Sequence, residues 1–202
     1  MNKIDDVLIH EAKDYVTDLL THDLPDKCLF HTIRHTLDVL KNAEIIGRYC
    51  GLKEDEMNTL RISALFHDVG YIDSYDNHEA FSAERAANFL ASKDIDMEVI
   101  NQVQEAILST RTPQSPQDNI SSILCDADLM NLTFDDYFEQ IDLMREEWAK
   151  VGRAKLNRVE FHAQSLEFFH KHAYHSAYGK LVLQPMKEEM EMKIRSKVFV
   201  EQ

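Results

Sequence analysis

Ala64-Leu65-Phe66-His67-Asp68-Val69-Gly70-Tyr71 sets the reading of the whole chain. An apolar helical run ends on an imidazole and a carboxylate side by side, and a glycine follows almost at once. In a chain with ten histidines and 36 acidic residues, a lone His-Asp pair arises by chance. It gains meaning from its company. Phe30-His31-Thr32-Ile33-Arg34-His35-Thr36 stands upstream, and Cys125-Asp126-Ala127-Asp128-Leu129 stands downstream.

Outward from that stretch, apolar residues recur with helical spacing. Val7, Leu8, Ala12, Val16, Leu19 and Leu20 mark a helix over about 4–20. The segment 31–49 carries two adjacent stripes, Ile33-Leu37-Leu40 and Val39-Ala43-Ile46, so this helix is expected to be buried on most sides. Gly51 suits its C-terminal cap. Further helices are expected over 54–67, from about 78, and over 97–108, 121–130, 134–151 and 153–171. Gly179 and Pro185 punctuate the last part, with Pro185 in the first turn of a C-terminal helix. Arg111–Asp118, with two prolines, reads as a loop. Five glycines, four prolines and no sustained strand alternation predict one all-α domain over 1–202. Its site-bearing core is expected over about 28–132, with helices of 134–202 packed on it.

At 202 residues and 44% hydrophobic content the chain can bury a real core. No apolar run approaches the roughly 20 residues that span a bilayer, and the N-terminus lacks the apolar centre of a signal peptide. Cys28, Cys50 and Cys125 share no ligand spacing and suit small, reduced, buried side chains. A cytoplasmic location is the expectation. A net charge of −14 argues against an extended nucleic-acid surface. It leaves a small phosphorylated partner open, because a metal ion and a few arginines can reverse the sign inside one cleft.

The chemistry lies in the histidines and aspartates. His31 and His35, four apart on a predicted helix, share one face. His67 and Asp68 point about 100° apart around a helix. They reach one cation only over a frayed end, where Gly70 lets the chain turn away. Asp126 and Asp128 sit in the otherwise apolar run Ser122–Met130, where carboxylates are costly to bury unless paired or bound to metal. Nitrogen and oxygen donors without thiolate favour Mn, Fe, Ni, Co, Mg or Zn over a structural zinc cage.

The order His…His-Asp…Asp over residues 28–132 resembles the HD-domain superfamily of metal-dependent phosphohydrolases. The region from Tyr137-Phe138-Glu139 to Arg145-Glu146-Glu147-Trp148 is similar to the tail of one branch of predicted bacterial phosphohydrolases. The resemblance implies a helical bundle in which His35, His67, Asp68 and Asp128 hold one divalent ion. Ala127-Asp128-Leu129 matches the family pattern, so Asp128 is preferred and Asp126 is left as an additional or outer ligand. His31-Thr32-Ile33-Arg34-His35 resembles the His-Asn-x-x-His of helical cyclic-nucleotide phosphodiesterases, with Thr32 in place of asparagine. That implies His31 as the acid that protonates the leaving oxygen. His78-Glu79 is similar to a pair that serves a second metal or the nucleophilic water. Two-metal relatives place another histidine about where Thr110 stands, so one ion is expected and a second is the alternative.

A bound divalent cation would lower the pKa of its water towards about 7 and neutralise phosphate oxygens. Asp68 or Glu79 would accept or orient a proton. Arg34, Arg111 and Arg153, with Lys155 and Arg158, are candidate phosphate contacts. His10, His22, His162, His170, His172 and His175 read as surface or helix-end residues, while Phe161, Leu166 and Phe169 read as a packing face. The expected activity is hydrolysis of a nucleotide or another small phosphorylated metabolite, as a phosphomonoesterase or phosphodiesterase. The alternatives are a non-catalytic module that binds a nucleotide or alarmone, and a di-iron oxygenase, for which only His78 is spare. A homodimer is compatible with the sequence.

Overall fold

The computed structural model describes residues 2–200, with side chains through residue 197. Nine α-helices occur among the described residues: α1 (Asp6–His22), α2 (Ile33–Tyr49), α3 (Glu54–Phe66), α4 (His78–Ala91), α5 (Met97–Ser109), α6 (Asn119–Asp128), α7 (Tyr137–Lys150), α8 (Arg158–Lys171) and α9 (Gln184–Val200). No strand occurs among them, only an isolated backbone bridge between Asn2 and Ile95. The fold is all-α, as the periodicity predicts. Among the described residues no helix is long and apolar enough to cross a membrane.

The centre of the bundle is α3, and the reason lies in its composition. Ile62, Leu65 and Phe66 face one core, with Leu8, Ala12, Val16 and Leu20 of α1, Ala83, Ala86 and Leu90 of α4, and Ile100, Val103 and Ile107 of α5. Met57, Leu60 and Ala64 face a second core, with Val39, Ala43 and Ile46 of α2 and Ile123, Leu124 and Ala127 of α6. A helix that serves two cores has no single apolar stripe. Each fully buried Leu, Ile or Phe contributes about 1.5–3 kcal/mol, so this helix is the most firmly held position from which to present a site. A third cluster, Leu132, Tyr137, Phe169, Met190 and Ile194, joins α7, α8 and α9.

Side chains stop the helices where free amides need partners. Asp5, Asp96 and Asp118 accept from the first turns of α1, α5 and α6, and Asn157 and Glu160 cap α8 reciprocally. Gly51, at φ 74°, ends α2 with Leu52 N–H donating to Gly47 O, the left-handed cap expected there.

Four local expectations need correction. α2 begins at Ile33 with Thr32 at its N-cap, so His31 lies outside the helix. α8 begins at Arg158, because Gly152 adopts φ 77° and carries Arg153 into a connection. Gly179 does not end a helix; it lies in a π-helical turn, Gly179–Leu183, that runs into α9. Its backbone approaches Asp126 so closely that a Cβ there would overlap the carboxylate. Pro185 does fall in the first turn of α9. His162 is buried, not on the surface, and burial beside Lys187 pushes the His172 imidazole down to about 3.

Candidate metal centre

His67 follows the last residue of α3 and is fully buried. Its Nδ1 lies 2.8 Å from the Ala64 carbonyl oxygen. A carbonyl only accepts, so Nδ1 carries the proton and Nε2 keeps its lone pair for the site. At Asp68 the backbone leaves helical geometry (φ −112°, ψ 2°) and enters the 3-10 turn Val69–Ile72. Gly70 has a role other than the expected turn, since its φ is not in the left-handed region. It is pressed against the start of α4: a Cβ would stand 2.7 Å from Ser82 N and nearer still to His78 O, while Gly70 N–H donates to Ser82 Oγ at 2.8 Å.

The first turn of α2 brings His35, and the last residue of α6 is Asp128. His35 Nε2 is 3.2 Å from Asp128 Oδ1, 3.4 Å from Asp68 Oδ2 and 3.4 Å from His67 Nε2. His67 Nε2 is 3.2 Å from Asp68 Oδ2 and 3.6 Å from Asp128 Oδ1. Donors bound about 2.1 Å from one cation stand about 3.0–3.4 Å apart in octahedral or tetrahedral geometry. Asp68 Oδ2 is buried without a hydrogen bond, and it faces His67 Nε2. The arrangement calls for positive charge at its centre. Burial opposes ionisation here, yet the charges of Asp68 and Asp128 hold His67 well above the usual imidazole range, His67 with His78 holds the Asp68 carboxyl far down, and His35 with His67 holds the Asp128 carboxyl down. His35, His67 and Asp128 together can hold a metal ion, and Asp68 offers a fourth donor.

Around this quartet the other candidates divide. His78 Nε2 lies 3.5 Å from Asp68 Oδ1, and its Nδ1 lies 3.8 Å from Glu79 Oε2. Arg111 Nε is 3.5 Å from the same Glu79 oxygen, and Arg111 also donates to Asn77 Oδ1. Tyr71 is stacked between His78 and His31, with ring centroids 3.9 and 4.3 Å apart. Arg153 lies against the rings of Tyr75 and Trp148. Arg34 is largely exposed and paired with Asp38 and Asp136, and Arg158 is paired with Asp142. Asp126 does not join the quartet. Its two oxygens accept from His175 N and Ser176 N, both at 2.8 Å.

Glu147 of α7 was not among the sequence candidates. It is fully buried. Oε2 accepts from the backbone amides of Leu29 (2.6 Å), Phe30 (2.8 Å) and His31 (3.3 Å). Oε1 accepts from Tyr75 Oη–H at 2.8 Å and pairs with His31 Nδ1. Burial alone would raise its pKa, but these partners, His31 first, hold the carboxyl at about 2. In turn, burial disfavours the charged form of His31, and Glu147 outweighs it and raises that imidazole. The available signal was spacing: Glu147 falls on the same α7 face as Tyr137, Gln140 and Met144.

The helical bundle thus gathers two histidines and two aspartates from α2, the α3–α4 connection and α6, in the chain order His…His-Asp…Asp. Residues 32–133 match the HD domain family model, and the chain belongs to that family. No curated protein matches it in sequence. Solved structures share its fold. A predicted HD superfamily hydrolase from an uncultured Thermotogales bacterium is 20% identical, with 94% of this chain and 88% of that chain covered and a TM-score of 0.62. A Lactobacillus plantarum protein is 14% identical over 98% and 99%, with a TM-score of 0.67. Bacillus subtilis YpgQ, solved in complex with ADP, is 17% identical over 95% and 93%, with a TM-score of 0.66.

Proposed function

We propose that this protein is a metal-dependent phosphohydrolase that acts on a nucleotide or another small phosphorylated metabolite. Its single divalent ion would be held by His35, His67, Asp68 and Asp128. The observation that carries the reading is the set of five contacts of 3.2–3.6 Å by which the imidazoles of His35 and His67 meet each other, Asp128 Oδ1 and the buried, unpartnered Asp68 Oδ2. Membership of the HD family and the ADP complex of YpgQ support it. Bound there, the ion supplies charge for phosphate oxygens and a water acidified towards a pKa of about 7.

The chain's own groups would do the rest. Asp128, 20% exposed, is the least buried member of the quartet, so substrate would enter on its side. Asp68, backed through His78 by Glu79, would orient the proton of the attacking water. His31, whose imidazole Glu147 holds above its ordinary range, would donate a proton to the leaving oxygen. Arg111 on the His78 side and Arg153 on the Tyr75 side would contact phosphate. Arg34, already paired with acids, is left out. The free cysteines Cys28, Cys50 and Cys125 suit a reducing cytoplasm.

Elemental analysis of the purified protein, joined to a phosphate-release screen over nucleotides and sugar phosphates, tests the reading. His67→Ala should lose both metal and turnover while its far-ultraviolet circular dichroism stays helical. Full turnover by a metal-free variant would overturn it. Tight ADP binding with no product under Mn, Ni, Co or Mg would instead favour the binding module.

A further inference from the structure

We infer that the Tyr71 hydroxyl is a substrate contact of this centre, a hydrogen-bond donor to an oxygen of the phosphoryl group under attack. The inference rests on the phosphohydrolase reading above and adds a catalytic residue to it.

The 3-10 turn Val69–Ile72 explains why Tyr71 faces the site. With three residues per turn, Val69 and Ile72 share one face. Val69 lies in the core shared by α1, α3, α4 and α5, and Ile72 packs against it. Gly70 is pressed onto α4, which leaves Tyr71 the remaining face. Its ring stacks on His78, with centroids 3.9 Å apart and 15° between planes, and on His31 at 4.3 Å and 27°. Tyr75 closes a third side at 5.1 Å. His78 is the neighbour of Asp68 Oδ1, and His31 is the proposed acid. Tyr71 is thus wedged between the two sides of the proposed reaction, and three rings hold it there.

The polar groups around the phenol have protein neighbours. Tyr75 Oη–H donates to Glu147 Oε1, His31 Nδ1 pairs with the same carboxylate, and His78 faces Asp68 and Glu79. No hydrogen bond joins the Tyr71 hydroxyl to a described residue, although the residue is only 5% exposed. Unlike Asp68 Oδ2, this oxygen is not shut off from solvent, so a ligand can reach it. An unpaired hydroxyl on a buried side chain is costly and calls for a partner that the protein alone does not supply. Burial first, and then the charges of Asp68, Glu147 and Asp128, push the phenol well above its ordinary value of 10. It therefore stays a neutral O–H donor at working pH, and an ionised phosphate oxygen is the acceptor it lacks. A donor fixed by packing before the substrate arrives loses little freedom when it binds.

Tyr71→Phe keeps the ring and removes one oxygen, and three measurements on it test the inference. Urea unfolding of the chelator-treated variant should show stability equal to wild type or above it, because the hydroxyl has no protein partner to lose. A clear loss of stability would reveal such a partner and overturn the inference. Mn2+ uptake by calorimetry should match wild type; lost uptake would make Tyr71 a support of the centre and would also overturn it. With Mn2+ bound, inorganic phosphate should bind the variant roughly 10–100-fold more weakly. Orthovanadate, which adopts the five-coordinate shape of phosphoryl transfer, should lose at least as much. Equal affinity of wild type and variant for both anions would sink the role of the hydroxyl alone. If wild type takes up no Mn2+ or binds neither anion, the phosphohydrolase reading falls and this inference with it.

Discussion

The two oxygens of Asp68 have different neighbours, and this gives the residue its weight. Oδ2 meets His35 and His67, while Oδ1 meets His78. Asp68→Asn keeps the shape and removes the charge. Metal affinity should fall beyond the about 10–100-fold that loss of an outer partner costs, measurable by titration with a fluorescent chelator. Glu147 is a second case at this scale. Its folded carboxyl lies at about 2 against the ordinary 4.5, so its stabilisation is present above 4.5 and lost as pH falls towards 2. His31 is raised above 6.5, so its contribution is full below 6.5 and lost as pH rises through the raised value. Glu147→Gln should therefore be most destabilising between pH 4.5 and 6.5, by about 3 kcal/mol in urea unfolding. Replacing His31 with Gln should lower kcat about 100-fold for substrates with alkyl leaving groups. An aryl phosphate, whose leaving oxygen needs no proton, should be largely spared, and metal content should not change.

Legibility in sequence differs sharply among these residues. His31, His35, His67, Asp68, Asp126 and Asp128 stand out because imidazole and carboxylate are scarce company for apolar helical runs, and the family resemblance narrows them to His35, His67, Asp68 and Asp128. Glu147 hides beside Glu146 in a charged helix, where a solvated face is the ordinary reading. What singles it out is a set of donors more than a hundred residues away, at Leu29, Phe30 and His31. Those same bonds explain why α2 starts later than periodicity suggests. The amides of residues 29–31 are satisfied by a carboxylate instead of by helix.

Between elements, close approach matters more than turn geometry. Gly70 lets the turn after Asp68 lie against α4, which in turn aims His78 and Glu79 at the site. Gly70→Ala would drive a methyl group into backbone that no rotamer change can clear. A loss of about 1–3 kcal/mol is expected in denaturant unfolding, with weaker metal retention. Asp126 does a comparable job for the C-terminal segment. Two residues from Asp128, it projects to the far side of α6 and holds the amides of His175 and Ser176. Asp126→Ala should cost about 3 kcal/mol or more in stability, yet leave Mn2+ stoichiometry unchanged. Loss of stoichiometric metal in a folded Asp126→Ala protein would place that carboxylate in the centre after all.

For the molecule as a whole, the candidate centre draws on several helices: its proposed donors come from α2, the α3–α4 connection and α6, and Glu147 adds α7. An ion bound there should stabilise the native state by mass action. At free metal of 100 times Kd the gain is about 2.7 kcal/mol, or roughly 5–11 °C in Tm for a chain of this size. Chelator-treated protein followed by scanning calorimetry, with and without Mn2+, should show that shift. It should vanish in His67→Ala.

The all-helical class and most helix positions were determined by sequence alone, because spacing and residue type are local properties, and the resemblance to the HD domain family named His35, His67, Asp68 and Asp128 as candidate donors. Which way a side chain faces, and which distant group it meets, depends on packing. Only the tertiary structure therefore paired Glu147 with His31, turned Asp126 away from Asp128, and set Arg111 against Glu79. Each of these rests on a bond or ion pair between segments far apart in the chain, and no local pattern encodes such a partner.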